Sequence, residues 1–282
     1  MGVTLEPLEF DVPPQVPLAR LATHRGHAHT AGAPLPPIEA RARRLVPDPD
    51  AYARVCGFPL GGPLPPTYPD VLTRGLQLAV LTHPAFPFPL LGILHTEQRI
   101  VARRDLHAEE AMSGRSWVEG LRPARRGVEF ELHSAVTVAG VEVWHGTSTI
   151  LSRSLPGDGQ KRPRPQEPAW TPARSVVWRL PPDLGRRYAA VSGDHNPIHL
   201  HPLTARLFGF KRPIAHGWWA IARAVAELDT DIQTPWQLHA RFSSPLPLPG
   251  RVCFTSGPLR TGGHHFELRR REVCLSGEVR PA

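Results

Sequence analysis

Residues 44–58, RLVPDPDAYARVCGF, and residues 179–194, RLPPDLGRRYAAVSGD, spell one segment twice once a single residue is gapped. Tyr52 falls on Tyr188, Val55 on Val191, Cys56 on Ser192 and Gly57 on Gly193. Further along, WVEGLRPARRGVEFEL at 117–132 resembles FTSGPLRTGGHHFEL at 254–268, with Phe130, Glu131 and Leu132 on Phe266, Glu267 and Leu268. Two matches in the same order, at an offset of about 136 residues, read as an internal duplication.

The size agrees, because 282 residues allow two units of about 140 each. Between them lies a linker at 154–170, SLPGDGQKRPRPQEPAW, which is rich in Pro, Gly and charge and has no periodicity. Residues 1–38 are Pro-rich and aperiodic and read as an extended arm lying on the first unit or partly disordered. That leaves a first unit at 39–153 and a second at 171–282. Gly 24 and Pro 34 exceed the ordinary share, yet 41% hydrophobic and 21% charged residues describe a folded globular chain and exclude wholesale disorder. Three cysteines, Cys56, Cys253 and Cys274, without CxxC spacing indicate neither a disulfide framework nor a thiolate zinc site. The first thirty residues contain no apolar run of signal-peptide type, so a cytoplasmic location is expected.

The net charge of +8 comes from arginine, since lysine occurs only at Lys161 and Lys211. Such a surplus suits an anionic partner. The arginines fall in scattered clusters, including Arg125-Arg126 and Arg269 to Arg271, without interleaved aromatic motifs, so nucleic acid is not the expected partner. Most of them read as solvated strand ends.

Each unit repeats one coarse order: a short segment around Tyr52 or Tyr188, Pro-rich turns, one apolar helix, then three or four strands. The helices are expected at Asp70 to Thr82 and at His216 to Leu228. Strands are expected at 91–103, 112–121, 127–137 and 141–152, and at 236–245, 250–259, 264–271 and 272–280. A buried helix followed by an antiparallel meander that wraps it is an α+β arrangement. It is the order of the hotdog fold, so the expected architecture is a double hotdog, two units fused as a pseudo-dimer.

The copies diverge where chemistry would sit. The second reads YAAVSGDHNPIHLHPLTARLFGFKRPIAHG over 188–217. At the position of Asp194 the first has Phe58, and the following PLGGP supplies no histidine. Asp194 and His199 flank an Asn-Pro turn, and a carboxylate beside an imidazole suits the addition or removal of water. His216-Gly217 opens a helix whose first N–H groups, with the helix dipole behind them, can hold a developing oxyanion.

The 188–217 stretch resembles, without a gap, the signature of MaoC-like dehydratases of the R-specific enoyl-CoA hydratase (hydratase 2) group. A degenerate unit followed by an intact one resembles that family's double-hotdog members. The resemblance implies a hydro-lyase acting on 2-enoyl or (R)-3-hydroxyacyl thioesters of CoA or acyl carrier protein, in fatty-acid or related acyl metabolism. Asp194 and His199 would be its dyad, Asn196 would help hold the loop and a water, and the Gly217 N–H would be the oxyanion donor. Ser192, His216, Lys211, Arg212 and Trp218 are the further substrate-binding candidates, with Lys211-Arg212 the first choice for phosphate contacts. No metal and no separate cofactor are implied; CoA or phosphopantetheine comes as part of the substrate. No membrane partner is expected, and a homodimer of the pseudo-dimer is an open possibility. A family departure is Trp218-Trp219, where smaller residues are common.

Competing readings stay beside these. Asp194 alone suits a turn cap. His195, His199 and His201 with Asp194 have metal-ligand character. A hotdog protein without its chemistry would be an acyl-thioester-binding subunit. His264-His265 beside Gly262-Gly263 reads as an exposed turn, His95 and His239 as strand residues, and Phe58, Trp218 and Trp219 as apolar lining or core.

Overall fold

The computed structural model describes residues 5–26, 33–160, 169–228 and 232–282. In chain order the elements are β1 (Leu8–Phe10), α1 (Leu18–Thr23), β2 (Glu39–Ala42), α2 (Asp50–Cys56), α3 (Pro69–Leu72), α4 (Arg74–Leu81), β3 (Leu94–Ala102), β4 (Met112–Ala124), β5 (Gly127–Val138) and β6 (Val141–Ser152). After these come β7 (Arg174–Leu180), α5 (Leu184–Ser192), a 3-10 turn (Pro197–His199), α6 (Pro202–Leu207), α7 (Gly217–Leu228), β8 (Trp236–Phe242), β9 (Gly250–Pro258), β10 (His264–Arg269) and β11 (Val273–Pro281). Among the described residues no helix is long and apolar enough to cross a membrane.

The chain forms two compact units that are not consecutive in sequence. The first takes Met1–Pro47, Pro69–Ile100 and Glu109–Pro165; the second takes Asp48–Tyr68, Val101–Ala108 and Gln166–Ala282. Residues 48–68 and 101–108, which the sequence reading gives to the first unit, thus pack with the second. The cause is local: Tyr52 of α2 lies against Tyr188 of α5, ring centroids 6.0 Å apart, and the indole N–H of Trp219 on α7 donates to the Val55 carbonyl at 3.1 Å. Of the expected linker and arm, residues 161–168, 1–4 and 27–32 lie outside the described residues.

In the first unit the strands lie in the order β1-β2-β4-β5-β6-β3. The arm enters as β1, paired parallel with β2. α4 packs on β2, β4 and β5, and the pleat sends Ser116 and Ser134 toward it. Gln77 of α4 donates to Asp70 Oδ1 at 2.7 Å and to Ser134 Oγ at 3.0 Å, so the polar groups buried beneath the sheet satisfy one another. The helix expected at 70–82 is two pieces. At Thr73 the hydroxyl donates back to the Pro69 carbonyl at 2.9 Å, a bond that competes with regular helix and bends it.

In the second unit the order is β8-β11-β10-β9-β7. Alternation in β7 turns Val176, Trp178 and Leu180 inward, and Trp178 stacks on Phe254 of β9 at 5.0 Å. The apolar α7 meets this wall through Trp219, whose ring lies edge-on to Trp178. His264 and His265 correct the sequence reading: they begin β10, and His265 is buried at 2% exposure because its strand continues to the end of the Gly262-Gly263 turn. His95 and His239 lie in β3 and β8, as read.

Candidate active site

The site grows from the end of α5. Gly193 takes the left-handed conformation, φ 70°, that stops the helix and turns the chain back. The next residues are fixed by a ladder of side-chain acceptors: the Ser192 hydroxyl takes the Asp194 N–H at 3.2 Å, Asp194 Oδ1 takes the Asn196 N–H at 3.2 Å, and Asn196 Oδ1 takes the Ile198 N–H at 3.3 Å. Asn196 therefore caps the 3-10 turn that carries His199. Asp194 does cap the loop, through Oδ1. Its Oδ2 faces His216 Nε2 at 4.0 Å.

His199 is buried, and its Nδ1 sits 2.7 Å from the Ile214 carbonyl. A carbonyl only accepts, so Nδ1 carries the proton and Nε2 keeps its lone pair. Burial pushes this imidazole below the usual histidine range, against the opposing pull of Asp194 and the Ile214 bond. The ring is consequently neutral near pH 7, the form that accepts a proton. Close packing beneath it demands Gly185 on α5, where a Cβ would fall 1.9 Å from the His199 carbonyl oxygen.

His216 closes the group. Its Nε2 donates to the Asp194 carbonyl at 2.9 Å, and its ring stacks on His199 at 3.7 Å with 28° between planes. Tyr188 lies 4.9 Å away on ring centroids. One ligand atom each from Asp194, His199 and His216 lie within 4.8 Å of one another, a group that a metal ion could use. The stacked rings work against that use, because in-plane lone pairs of two near-parallel imidazoles run side by side and do not converge on one ion. His195 and His201 belong to no such group among the described residues; His201 instead caps α6 by accepting the Leu203 N–H at 3.2 Å.

Gly217 begins α7, and the first helical bond there runs from the Ala220 N–H to the His216 carbonyl at 3.2 Å. The Gly217 N–H therefore precedes the ladder and stands at the positive end of the helix. A Cβ at this glycine would meet the Phe242 ring at 2.7 Å, so β8 as well as any ligand requires its absence. Trp218 and Trp219 are buried in the core, and so is Phe58. Lys211 and Arg212 are exposed, with Arg212 Nη1 donating to the Pro249 carbonyl at 3.2 Å. A cavity of about 240 Å³ lies beside the degenerate segment, with Phe58, Leu64, Asp105, Val225 and Trp236 in its walls. Neither Asp194, His199 nor Gly217 lines it.

The sequence reading brought forward Asp194, Asn196, His199, His216 and Gly217, and the fold brings these together. It missed Ile214, whose carbonyl fixes the His199 tautomer. No side-chain motif signals a backbone acceptor; its place just before Ala215-His216 is the only hint.

An antiparallel α+β hotdog carrying a half-buried Asp194 and a buried His199 beside a helix N-terminus defines the class of thioester hydro-lyase scaffolds. Residues 160–255 match the family described as MaoC like domain. The 3-hydroxyacyl-thioester dehydratase X of Mycobacterium tuberculosis is 38% identical over 200 residues, covering 71% of each chain. Its crystal structure, HtdX, superposes with a TM-score of 0.76 at 35% identity over 86% of this chain and 99% of that one. The peroxisomal enoyl-CoA hydratase 2 of Arabidopsis thaliana is 27% identical over 175 residues, 57% of this chain and 56% of its own. The chain belongs to the MaoC-like dehydratase family.

Proposed function

We propose that the protein adds water to 2-enoyl thioesters and removes it from (R)-3-hydroxyacyl thioesters, using the Asp194–His199 pair. The observation that carries this reading is the His199 tautomer: Nδ1–H held by the Ile214 carbonyl leaves Nε2 as a neutral base next to Asp194. In hydration the thioester carbonyl is bound at the Gly217 N–H. His199 Nε2 draws a proton from the attacking water as its oxygen bonds to the β-carbon. The double-bond electrons move to an enolate held at that N–H, and the Asp194–His199 pair returns one proton to the α-carbon. The enzyme ends as it began, and dehydration is the reverse. Proton assignments within the pair belong to the pair.

The expected substrate is a CoA or carrier-protein thioester, with Lys211 and Arg212 facing its phosphates, and the expected location is the cytoplasm. No metal takes part, so exhaustive chelation is expected to leave the rate unchanged. The test is the loss of enoyl-thioester absorbance with crotonyl-CoA and longer homologues, with chiral analysis of the product. An (R)-3-hydroxyacyl product is expected. Binding of the thioester without turnover would move the protein to the acyl-binding class, and an (S) product would overturn the geometry.

A further inference from the structure

The hydration reaction assigns no role to α6, the short helix that follows the His199 turn. Between Leu184 and Ala226 the only acid is Asp194, against the bases Arg186, Arg187, Arg206, Lys211, Arg212 and Arg223. Arg223 pairs with Glu227 on its own helix. The other five are exposed and, among the described residues, meet no carboxylate. Arg186 Nη1 donates to the Leu200 carbonyl at 3.3 Å and Arg212 Nη1 to the Pro249 carbonyl, contacts that hold these side chains without cancelling their charge. Elsewhere in the molecule arginines do find acids, as Arg41 with Glu39, Arg115 with Glu142 and Arg280 with Glu278.

The second observation is apolar. On α6, Leu203 is 64% exposed and Leu207 82%, one turn apart, with Arg206 beside them. The helix is nevertheless firmly fixed: the Thr204 hydroxyl donates to the Pro197 carbonyl at 2.7 Å, and the Phe210 N–H to the Ala205 carbonyl at 3.0 Å. α6 is thus tied to the turn that carries His199 and begins three residues beyond it. The matching segment of the first copy, 48–68, has none of this. It holds Asp48 and Asp50 against a single Arg54, which pairs with Asp50, and exposes one large apolar side chain, Leu60. Leucines and unpaired cations therefore occur together only beside the intact Asp194 and His199 loop.

We propose that Leu203, Arg206 and Leu207 of α6 dock a small acidic helical carrier domain, which presents the thioester to the site on a phosphopantetheine arm. The proposal rests on the thioester reading above and names the partner. An aliphatic pair rimmed by unpaired cations is complementary to a helix that offers acids around an apolar strip. Free CoA offers phosphates, which Lys211 and Arg212 suit, but no side chains for two leucines one turn apart. An anionic membrane would also meet leucine and arginine, yet α6 has six residues, about 9 Å of helix, and membrane attachment scales with buried apolar area. So small a patch makes a transient contact, which suits a carrier that must leave after each turnover. The cations speed its encounter, and the leucines fix where it lands.

The test titrates the full chain with an acidic holo acyl carrier protein bearing no acyl group, followed by fluorescence anisotropy of the labelled carrier. Saturable binding is expected, weakening as salt rises from about 0.1 to about 1 M. Arg206→Glu and Leu207→Ser, both at exposed positions, are each expected to weaken it by about tenfold or more with an unchanged melt. In the absorbance assay kcat/KM for the crotonyl carrier should fall in the same proportion, while crotonyl-CoA stays within about twofold of wild type. Absence of carrier binding, binding indifferent to both variants, or an equal loss on crotonyl-CoA would overturn the proposal. So would attachment to phosphatidylglycerol vesicles that Leu207→Ser abolishes in a protein blind to the carrier, which would give the face to a membrane. Carrier binding that both variants weaken, in a protein that hydrates neither thioester, would uphold the docking surface and remove the proposed reaction instead.

Discussion

α2 and α5 are two versions of one helix, packed on each other in the same unit. Each carries an inward tyrosine, Tyr52 or Tyr188, and each ends in a left-handed glycine, Gly57 at φ 85° and Gly193 at φ 70°. After the glycine they part. Gly193 leads into Asp194 and the capped turn that presents His199; Gly57 leads into buried Phe58 and then exposed Pro59. The first glycine also has a packing duty, since a Cβ there would strike the Arg223 guanidinium of α7 at 1.8 Å. The duplication thus retains α2 packed on α5, while the first copy has Phe58 at the position of Asp194 and no histidine after it; on the proposed function, it lacks the dyad.

The comparison is most severely tested by removing one side of it. Residues 171–282 alone lack Asp48–Tyr68 and Val101–Ala108, segments of their own compact unit, and so leave the α5 and α7 faces that meet α2 uncovered. Insoluble or inactive protein is expected, read by sedimentation and by the crotonyl-CoA assay; a monomeric, fully active fragment would show that α2 is dispensable. Phe58→Asp asks whether the lost site can be restored. Burying a carboxylate in place of Phe58 is expected to cost about 3 kcal/mol or more, seen as a lower Tm, with no rescue of an Asp194→Asn background, because no histidine follows.

Gly217→Ala presses a methyl group on Phe242, with an expected loss of about 1–3 kcal/mol and a reduced kcat; an unchanged melt would mean that the Phe242 ring simply swings aside. The pH profile comes next in size. With its pKa below the ordinary value of about 6.5, His199 stays neutral into mild acid, so the acid limb of kcat/KM is expected below that value. The unfolded chain takes up this proton first. Its contribution to stability is therefore full above about pH 6.5 and is lost as pH falls toward the folded pKa. Removing the Asp194 charge should move the acid limb of the residual activity lower still, and a limb at or above 6.5 would contradict the buried neutral ring. Smallest is the joint change Lys211→Ala and Arg212→Ala: both side chains are exposed, so a few-fold rise in KM, a flatter salt response and an unchanged kcat are expected. No change in KM would place the phosphate contacts elsewhere.

Much of this was legible because duplication writes the pattern twice. The eight expected strands correspond to β3–β6 and β8–β11, with ends displaced by up to three residues. β7 went unread although Val176, Trp178 and Leu180 alternate, because its seven residues adjoin the Pro-rich linker. The assignment of 48–68 to the second unit could not be read, since it rests on Tyr52–Tyr188 and Trp219–Val55 contacts between residues remote in sequence. At the site, Asp194 and His199 were visible as side chains of the right chemistry. The Ile214 carbonyl and the His199–His216 stack were not, because both depend on how the 213–217 segment folds back on the turn.

The central proposal, that the Asp194–His199 pair carries the proton transfers, is tested most directly by the crotonyl-CoA hydration rate of Asp194→Asn measured beside its thermal melt. The carboxylate oxygen that caps the loop survives as the amide oxygen, so the melt should stay within a few degrees of wild type. The rate should fall by about 10²–10⁴-fold, the usual worth of a positioned acid–base group. A folded Asp194→Asn protein that hydrates crotonyl-CoA at the wild-type rate would contradict the account.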